Sequence, residues 1–259
     1  MVGALSSCAF RLGEGEPGLA IPGFRDPPDA VLVRGIAAGS FEQVTLRLGV
    51  LHALALMGVP VINDARAIER CVDKSMTSFL LHRAGLPLPP TFASESDPAA
   101  ESWREERRET QVAKPLFGSQ GRGLRRLEPD DALPPGEAYA GVRYLQRFVG
   151  RDGDWRDYRV MVIGGEPVAA MIRRGRSWIT NVRQGARCEP IAVSERLGAL
   201  SIAAVGAVGA DYAGVDLIED EGEFAILEVN SMPAWKGLQS VTDSDIAGRL
   251  AAHVRARLS

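Results

Sequence analysis

The stretch Gly214 to Asn230, GVDLIEDEGEFAILEVN, reads as two β-branched and apolar runs folded back about a turn at Asp220-Glu221-Gly222. If the hairpin is symmetric about Gly222, Asp216 lies opposite Glu228. Period-2 alternation then places Asp216, Glu228 and Asn230 on one face, and Val215, Leu217, Leu227 and Val229 on the other. Directly opposed Cβ atoms sit roughly 5 Å apart, close enough for two carboxylates to repel unless a cation bridges them. Carboxylate and carboxamide oxygens suit Mg²⁺, which usually shares its shell with nucleotide phosphates. The plainer reading is a solvated hairpin face, since carboxylates on exposed strands are common.

Composition narrows the setting. A chain of 259 residues, 46% hydrophobic and 24% charged, has the makeup of a globular protein large enough for two or three lobes. Its net charge of −3 argues against a strongly basic nucleic-acid binder. No run approaches the ~20 apolar residues of a membrane span, and the N-terminus lacks the basic and apolar regions of a secretory signal. Cys8, Cys71 and Cys188 are widely spaced, so reduced thiols in a cytoplasmic protein are expected rather than a disulfide framework or zinc site. The chain carries 27 Arg but only three Lys, at 74, 114 and 236. Lysine in such a background marks positions where a compact point charge matters.

Outward from the hairpin, the elements read as three lobes: 1–68, 69–145 and 146–259. In the first, a strand at Asp29–Val33, a helix opened by the capping box Ser40-Phe41-Glu42-Gln43 and a strand at Val61-Ile62 make a βαβ-like unit. The Gly- and Pro-rich loop 13–28 yields no reading. Asp73 caps a helix with Met76, Phe79, Leu80 and Ala84 near one face. Residues 95–109 alternate charge and read as a solvated surface segment. Gln111–Lys114 is a strand entering the loop Gly118-Ser119-Gln120-Gly121-Arg122-Gly123. A hairpin crosses Gly164-Gly165, Ser194 starts a Gly/Ala-rich helix, and Thr242 caps a last helix carrying Ile246, Leu250, Val254 and Leu258.

The glycine loop lacks the Walker A and dinucleotide-fold spacings, yet its amides suit phosphate. Lys114 on the preceding strand and Lys74 at a helix start add ammonium groups for the same phosphates. With the carboxylate hairpin they make a phosphoryl-transfer constellation in a cleft between lobes.

In order and wording, residues 73–90 (DKSMTSFLLHRAGLPLPP), 113–123 (AKPLFGSQGRG), 144–149 (YLQRFV), 157–172 and 211–233 resemble the ATP-grasp superfamily, and within it the RimK-like amino-acid ligases. The resemblance covers about residues 60–250. It implies an α/β (α+β) ATP-grasp fold, with the nucleotide held between two sheets and a small N-terminal lobe in front. It implies that Lys74 and Lys114 bind ATP phosphates under the loop Gly118, Ser119, Gln120, Gly121 and Gly123. Gln146, Arg147, Phe148 and Val149 would form the adenine hinge, with Asp157 near the ribose and Asn181 near phosphates and substrate. Asp216, Glu228 and Asn230 would carry two Mg²⁺ ions, or Mn²⁺. Relatives form dimers and tetramers, so a homo-oligomer is expected. Three positions depart from the family: Arg147 where Glu is common, Ile179 where relatives place Arg, and Pro233-Ala-Trp-Lys-Gly-Leu238 where Pro-Gly-Leu-Glu-Gly is usual.

Between residues 143 and 187 there are ten Arg and four acids. The excess is either a solvated face or a site for a carboxylate-rich substrate, with Arg159, Arg173 and Arg183 as candidates. Trp235 either stacks on an aromatic acceptor or packs its own loop. The expected activity is an ATP- and Mg²⁺-dependent carboxylate–amine ligase adding L-glutamate to a small coenzyme of the tetrahydromethanopterin or methylofuran kind, with Lys114, Arg159, Arg173 and Asn181 serving the chemistry. The alternatives are a kinase on the same fold and a non-catalytic nucleotide-binding protein.

Overall fold

The computed structural model describes residues 1–118, 120–150 and 153–258. Around the unread loop 13–28, a small antiparallel ribbon forms from β1 (Ala9–Arg11) and β2 (Gly18–Ala20). β3 (Val31–Leu32), α1 (Phe41–Leu56) and β4 (Val61–Ile62) are the expected βαβ unit, with β3 and β4 parallel. At the start of α1, Ser40 Oγ accepts the Gln43 amide and Gln43 Oε1 accepts the Ser40 amide. Val50, Leu51 and Leu54 of this helix pack with Val33, Val59 and Ile68.

α2 (Ala65–Val72) and α3 (Lys74–Arg83) meet at Asp73, whose carboxylate accepts the Ser75 and Met76 amides. The inward face of α3 differs from expectation. Met76 and Phe79 are exposed, whereas Thr77 and Leu81 are buried. Cys71 and Leu81 join the core of the C-terminal sheet, so α3 turns toward that sheet.

β5 (Thr91–Ser94), α4 (Asp97–Arg107), β6 (Gln111–Lys114), β7 (Arg125–Leu127) and β8 (Arg143–Arg147) build a central antiparallel sheet in the order β5-β8-β6-β7. The charged segment 95–109 is a helix here, capped by Ser96 and buried through Ala100. One long cation explains why the charge pattern misleads. Arg104 is itself buried, donating to the carbonyls of Asp131 (2.6 Å) and Glu128 (2.8 Å).

β9 (Arg156–Ile163), β10 (Glu166–Arg174), β11 (Arg187–Ile191), α5 (Glu195–Val208), β12 (Tyr212–Asp220) and β13 (Glu223–Asn230) follow, the strands in the order β11-β10-β9-β12-β13. Alternation sorts this sheet. Val160, Val162, Val215 and Leu217 pack under α5, while Met161, Ile163 and Tyr212 face a second core. After α6 (Lys236–Gln239), α7 (Ile246–Ala256) closes that second core with Ile246 and Leu250. Its cap is Asp245, which accepts the Gly248 amide at 2.9 Å, rather than Thr242, and Leu258 lies exposed beyond its end.

The N-terminal unit is stapled to the C-terminal sheet. Asn63, fully buried, donates to the carbonyls of Tyr212 (2.7 Å) and Ser231 (2.6 Å) and accepts the amides of Asp211 (2.6 Å) and Tyr212 (3.1 Å). Arg34 donates to Tyr212 Oη (3.0 Å) and the Pro233 carbonyl (2.9 Å) and lies 3.8 Å over the Trp235 ring. Trp235 also packs on the second core, so it serves its own loop and the stacking role is not supported.

Candidate nucleotide and metal site

A solvent-open cleft of about 1040 Å³ lies between the central and C-terminal sheets. The carboxylate hairpin forms part of its wall. Its turn is Glu221-Gly222, both at positive φ (52° and 87°), as a two-residue type I′ connection requires. Asp220 therefore pairs with Glu223, a register one residue off the symmetry about Gly222. A bulge at Leu227 restores it, so that Asp216 opposes Glu228 and Gly214 opposes Asn230. The bulge also turns Leu227, expected in the core, into the cleft beside Ile218. Val215, Leu217 and Val229 are buried as the alternation requires.

Charge converges on Asp216. Arg159, its cross-strand neighbour on β9, donates Nε to Oδ1 (2.6 Å) and Nη2 to Oδ2 (2.7 Å). Arg173 Nη2 reaches Asp216 Oδ2 at 3.0 Å and grips Asp157 at 2.7 and 2.5 Å. Burial opposes charge on Asp216, but the two guanidiniums outweigh it and hold the carboxyl below its usual range. Asp157, also bonded by Thr180 at 2.7 Å, has both oxygens committed inside the protein. Lys74 Nζ sits 3.6 Å from Glu228 and donates to the Gly118 carbonyl at 3.0 Å. Lys114 Nζ donates to Gln146 Oε1 at 2.6 Å. Burial brings the Lys114 ammonium down to about 8; the Lys74 charge adds to that push, while Glu228 and Asp216 oppose it.

The glycine loop closes on the segment after β10. Arg183 Nη1 donates to Gln120 Oε1 at 2.9 Å, and Gly121, at φ 70°, lies so near Asn181 and Ile179 that a Cβ would come within 2.5 Å of Asn181 Oδ1. Gly118, Gln120, Gly121 and Asn181 line the cleft. Ser119 lies outside the described residues. Gly123 turns the chain at φ 71° with its carbonyl accepting Tyr139 Oη, and it stays off the cleft wall.

At the hinge, Gln146, Arg147, Phe148 and Val149 all border the cleft. Gln146 is engaged on Lys114 and Thr91 rather than free for a base. Arg147 donates its amide to the Pro90 carbonyl, and Pro90 has no N–H to return to the Arg147 carbonyl. Its guanidinium pairs with Asp220.

The arginine-rich stretch is not a free basic face. Arg143, Arg147, Arg156, Arg173, Arg174 and Arg187 each hold a carboxylate of this chain. Arg173, 2% exposed and fixed between Asp157 and Asp216, is a poor seat for an incoming substrate carboxylate. Sequence reading missed Asn63, Arg34, Thr180 and the two tryptophans Trp155 and Trp178, whose rings meet that of the expected hinge residue Phe148 edge-on at 6.0–6.1 Å at the cleft. Only Arg34 carried a signal, standing where the chain leaves the carboxyl end of a parallel strand.

For a divalent ion the donors fit: Asp216 and Glu228 oppose each other, Asn230 follows two residues on, and among the described residues its buried Nδ2 has no hydrogen-bond partner. Among the described residues no three His, Cys, Asp or Glu side chains form a metal cage. Phosphate and water would complete the shell, as Mg²⁺ prefers.

Two sheets gripping a cleft walled by a glycine loop, two lysines and a carboxylate hairpin define an ATP-grasp protein. Residues 71–254 match the RimK-like ATP-grasp domain, and the chain belongs to that family. It is 37% identical over 236 residues to the tetrahydromethanopterin:alpha-L-glutamate ligase of Methanocaldococcus jannaschii, covering 88% of this chain and 79% of that one. It is likewise 37% identical over 199 residues to the ligase of the same name from Methanococcus maripaludis, covering 74% and 68%. The fold is shared with the ATP-grasp ligase PsnB, solved with its minimal precursor, Mg and ADP: TM-score 0.73, 24% identity, 97% of this chain and 85% of that chain. ATP and Mg²⁺ binding follow from the family. Among the described residues no helix is long and apolar enough to cross a membrane.

Proposed function

We propose that the protein ligates L-glutamate to a small carboxylate-bearing coenzyme of the tetrahydromethanopterin or methylofuran kind, using ATP, in the cytoplasm. The observation that carries the reading is the convergence of Lys74, Lys114, Asp216 and Glu228 on one cleft. The names of the 37%-identical relatives support glutamate and a pterin acceptor.

In this reading Lys74 and Lys114 neutralise the phosphates, with the amides of Gly118, Gln120 and Gly121 around them and the Arg147 carbonyl open to the adenine amine. Asp216, Glu228 and Asn230 hold one or two Mg²⁺ ions, with Mn²⁺ able to replace them; the metal supplies charge neutralisation of the phosphates. The acceptor carboxylate attacks the γ-phosphorus and ADP leaves. The glutamate amine then attacks the acyl carbon, phosphate departs, and the nitrogen gives up a proton. Asn181, which lies against the loop, and Arg159, which bonds Asp216, orient the reacting groups in this reading. No nucleophile from the protein is needed, because phosphate activates the acyl group.

The test is mass spectrometry of the purified protein with ATP, Mg²⁺, L-glutamate and tetrahydromethanopterin. Glutamyl mass increments matched by ADP and phosphate are expected. A phosphorylated acceptor without amide would replace ligase with kinase.

A further inference from the structure

Asp216 is claimed by two arginines of unequal freedom. Arg173 has Asp157 as a second carboxylate and is buried. Among the described residues Arg159 holds Asp216 alone and its Nη1 has no partner, and its side chain is 14% exposed. The pair is built into the backbone, because Arg159 and Asp216 are directly opposed on adjacent strands. There is little slack beside the fork: a Cβ at Gly214 would lie 3.6 Å from Arg159 Nε and 3.0 Å from Pro233.

A metal ion on Asp216 must share an oxygen with this fork, and two cations on one carboxylate repel at contact distance. We infer that Arg159 competes with the metal for Asp216, so that an anion drawing its guanidinium away raises metal affinity. By linkage, the metal raises affinity for that anion by the same factor. The anion is a carboxylate or phosphate, the groups an arginine fork takes with two parallel hydrogen bonds. The inference rests on the metal site proposed above and assigns Arg159 as the residue that couples it to the substrate.

The experiment is titration of Mn²⁺ into the full chain, free ion followed by electron paramagnetic resonance, for wild type and Arg159→Met. The arms are no addition, L-glutamate, and inorganic phosphate. Arg159→Met should bind Mn²⁺ about tenfold tighter than wild type. The anion that engages Arg159 should tighten Mn²⁺ on wild type by about fivefold or more and leave Arg159→Met unchanged. Arg159→Lys, which keeps the charge without the fork, should fall between and serves if the methionine variant does not fold. Arg187→Met, removing an exposed charge from the same sheet, should match wild type. Equal Mn²⁺ affinity in wild type and both Arg159 variants would overturn the competition, and no effect of either anion on wild type would overturn the coupling. Wild type that takes up no Mn²⁺ even beside ADP is a different result, ending the metal assignment itself.

Discussion

Raising the pH should loosen the grip on nucleotide through one residue. Burial lowers the Lys114 ammonium to about 8 in the free cleft. Nucleotide phosphates beside it would hold it protonated, so the bound state carries more protons and affinity falls as pH rises through about 8. With that value, Lys114 is roughly 90% protonated at pH 7, half at pH 8 and roughly 10% at pH 9. The affinity for MgADP should therefore drop about tenfold from pH 7 to 9, about 1.4 kcal/mol. Binding should take up about 0.9 proton at pH 9 and about 0.1 at pH 7. Isothermal titration calorimetry in pairs of buffers with different ionisation enthalpies reads both quantities, over a range where MgADP itself stays ionised. Lys114→Arg should bind more weakly but lose the pH dependence, since a guanidinium stays charged. A flat wild-type affinity between pH 7 and 9 with no proton uptake would refute the argument.

Glu228→Gln should cut turnover by about a hundredfold or more with an unchanged melting temperature, because in the proposed site this side chain holds the metal, and no buried arginine pairs with it. Asp216→Ala should instead destabilise by about 3–5 kcal/mol in urea unfolding, since it strands Arg159 and Arg173 without their shared carboxylate. Asn63→Ala should cost about 2–4 kcal/mol by the same assay, leaving four backbone groups of the C-terminal lobe without partners. Gly121→Ala should cost about 1–2 kcal/mol in the same assay, from a Cβ at φ 70°, and lower kcat/KM for ATP about tenfold or more, because that Cβ would strike Asn181 and Ile179.

The convergence of these residues on one cleft was legible because they are unlike their surroundings: lysines amid arginines, and paired acids in an apolar hairpin. Even there the reading succeeded by cancellation. The true turn is one residue away from the assumed centre, and the bulge at Leu227 restores the opposition of Asp216 and Glu228. Backbone irregularity of that kind leaves no trace in periodicity. The charged helix α4 was hidden because Ala100 and Trp103 are its main apolar anchors and Arg104 reaches inward to carbonyls. Asn63 could not be found at all, since its partners lie 148 to 168 residues away. The roles of arginines in 143–187 were likewise hidden, because several of their carboxylate partners, such as Asp97, Asp216 and Asp220, come from outside that stretch.

The segment Ser231–Trp235 continues directly from Asn230, yet Asn63, Arg34 and the core beneath α1, where Met232 packs, all hold it from the N-terminal side. Exchange of front lobes between relatives therefore carries a hidden cost at the proposed metal site. A transplanted lobe would repack residues 231–235 and drag the end of β13 with them. Chimeras that move residues 1–68 together with 231–235 as one discontinuous module should keep ATP-dependent ligation. Those cut only at the front should lose it, and a lineage that changes its first sixty residues should be found changing this short loop in step.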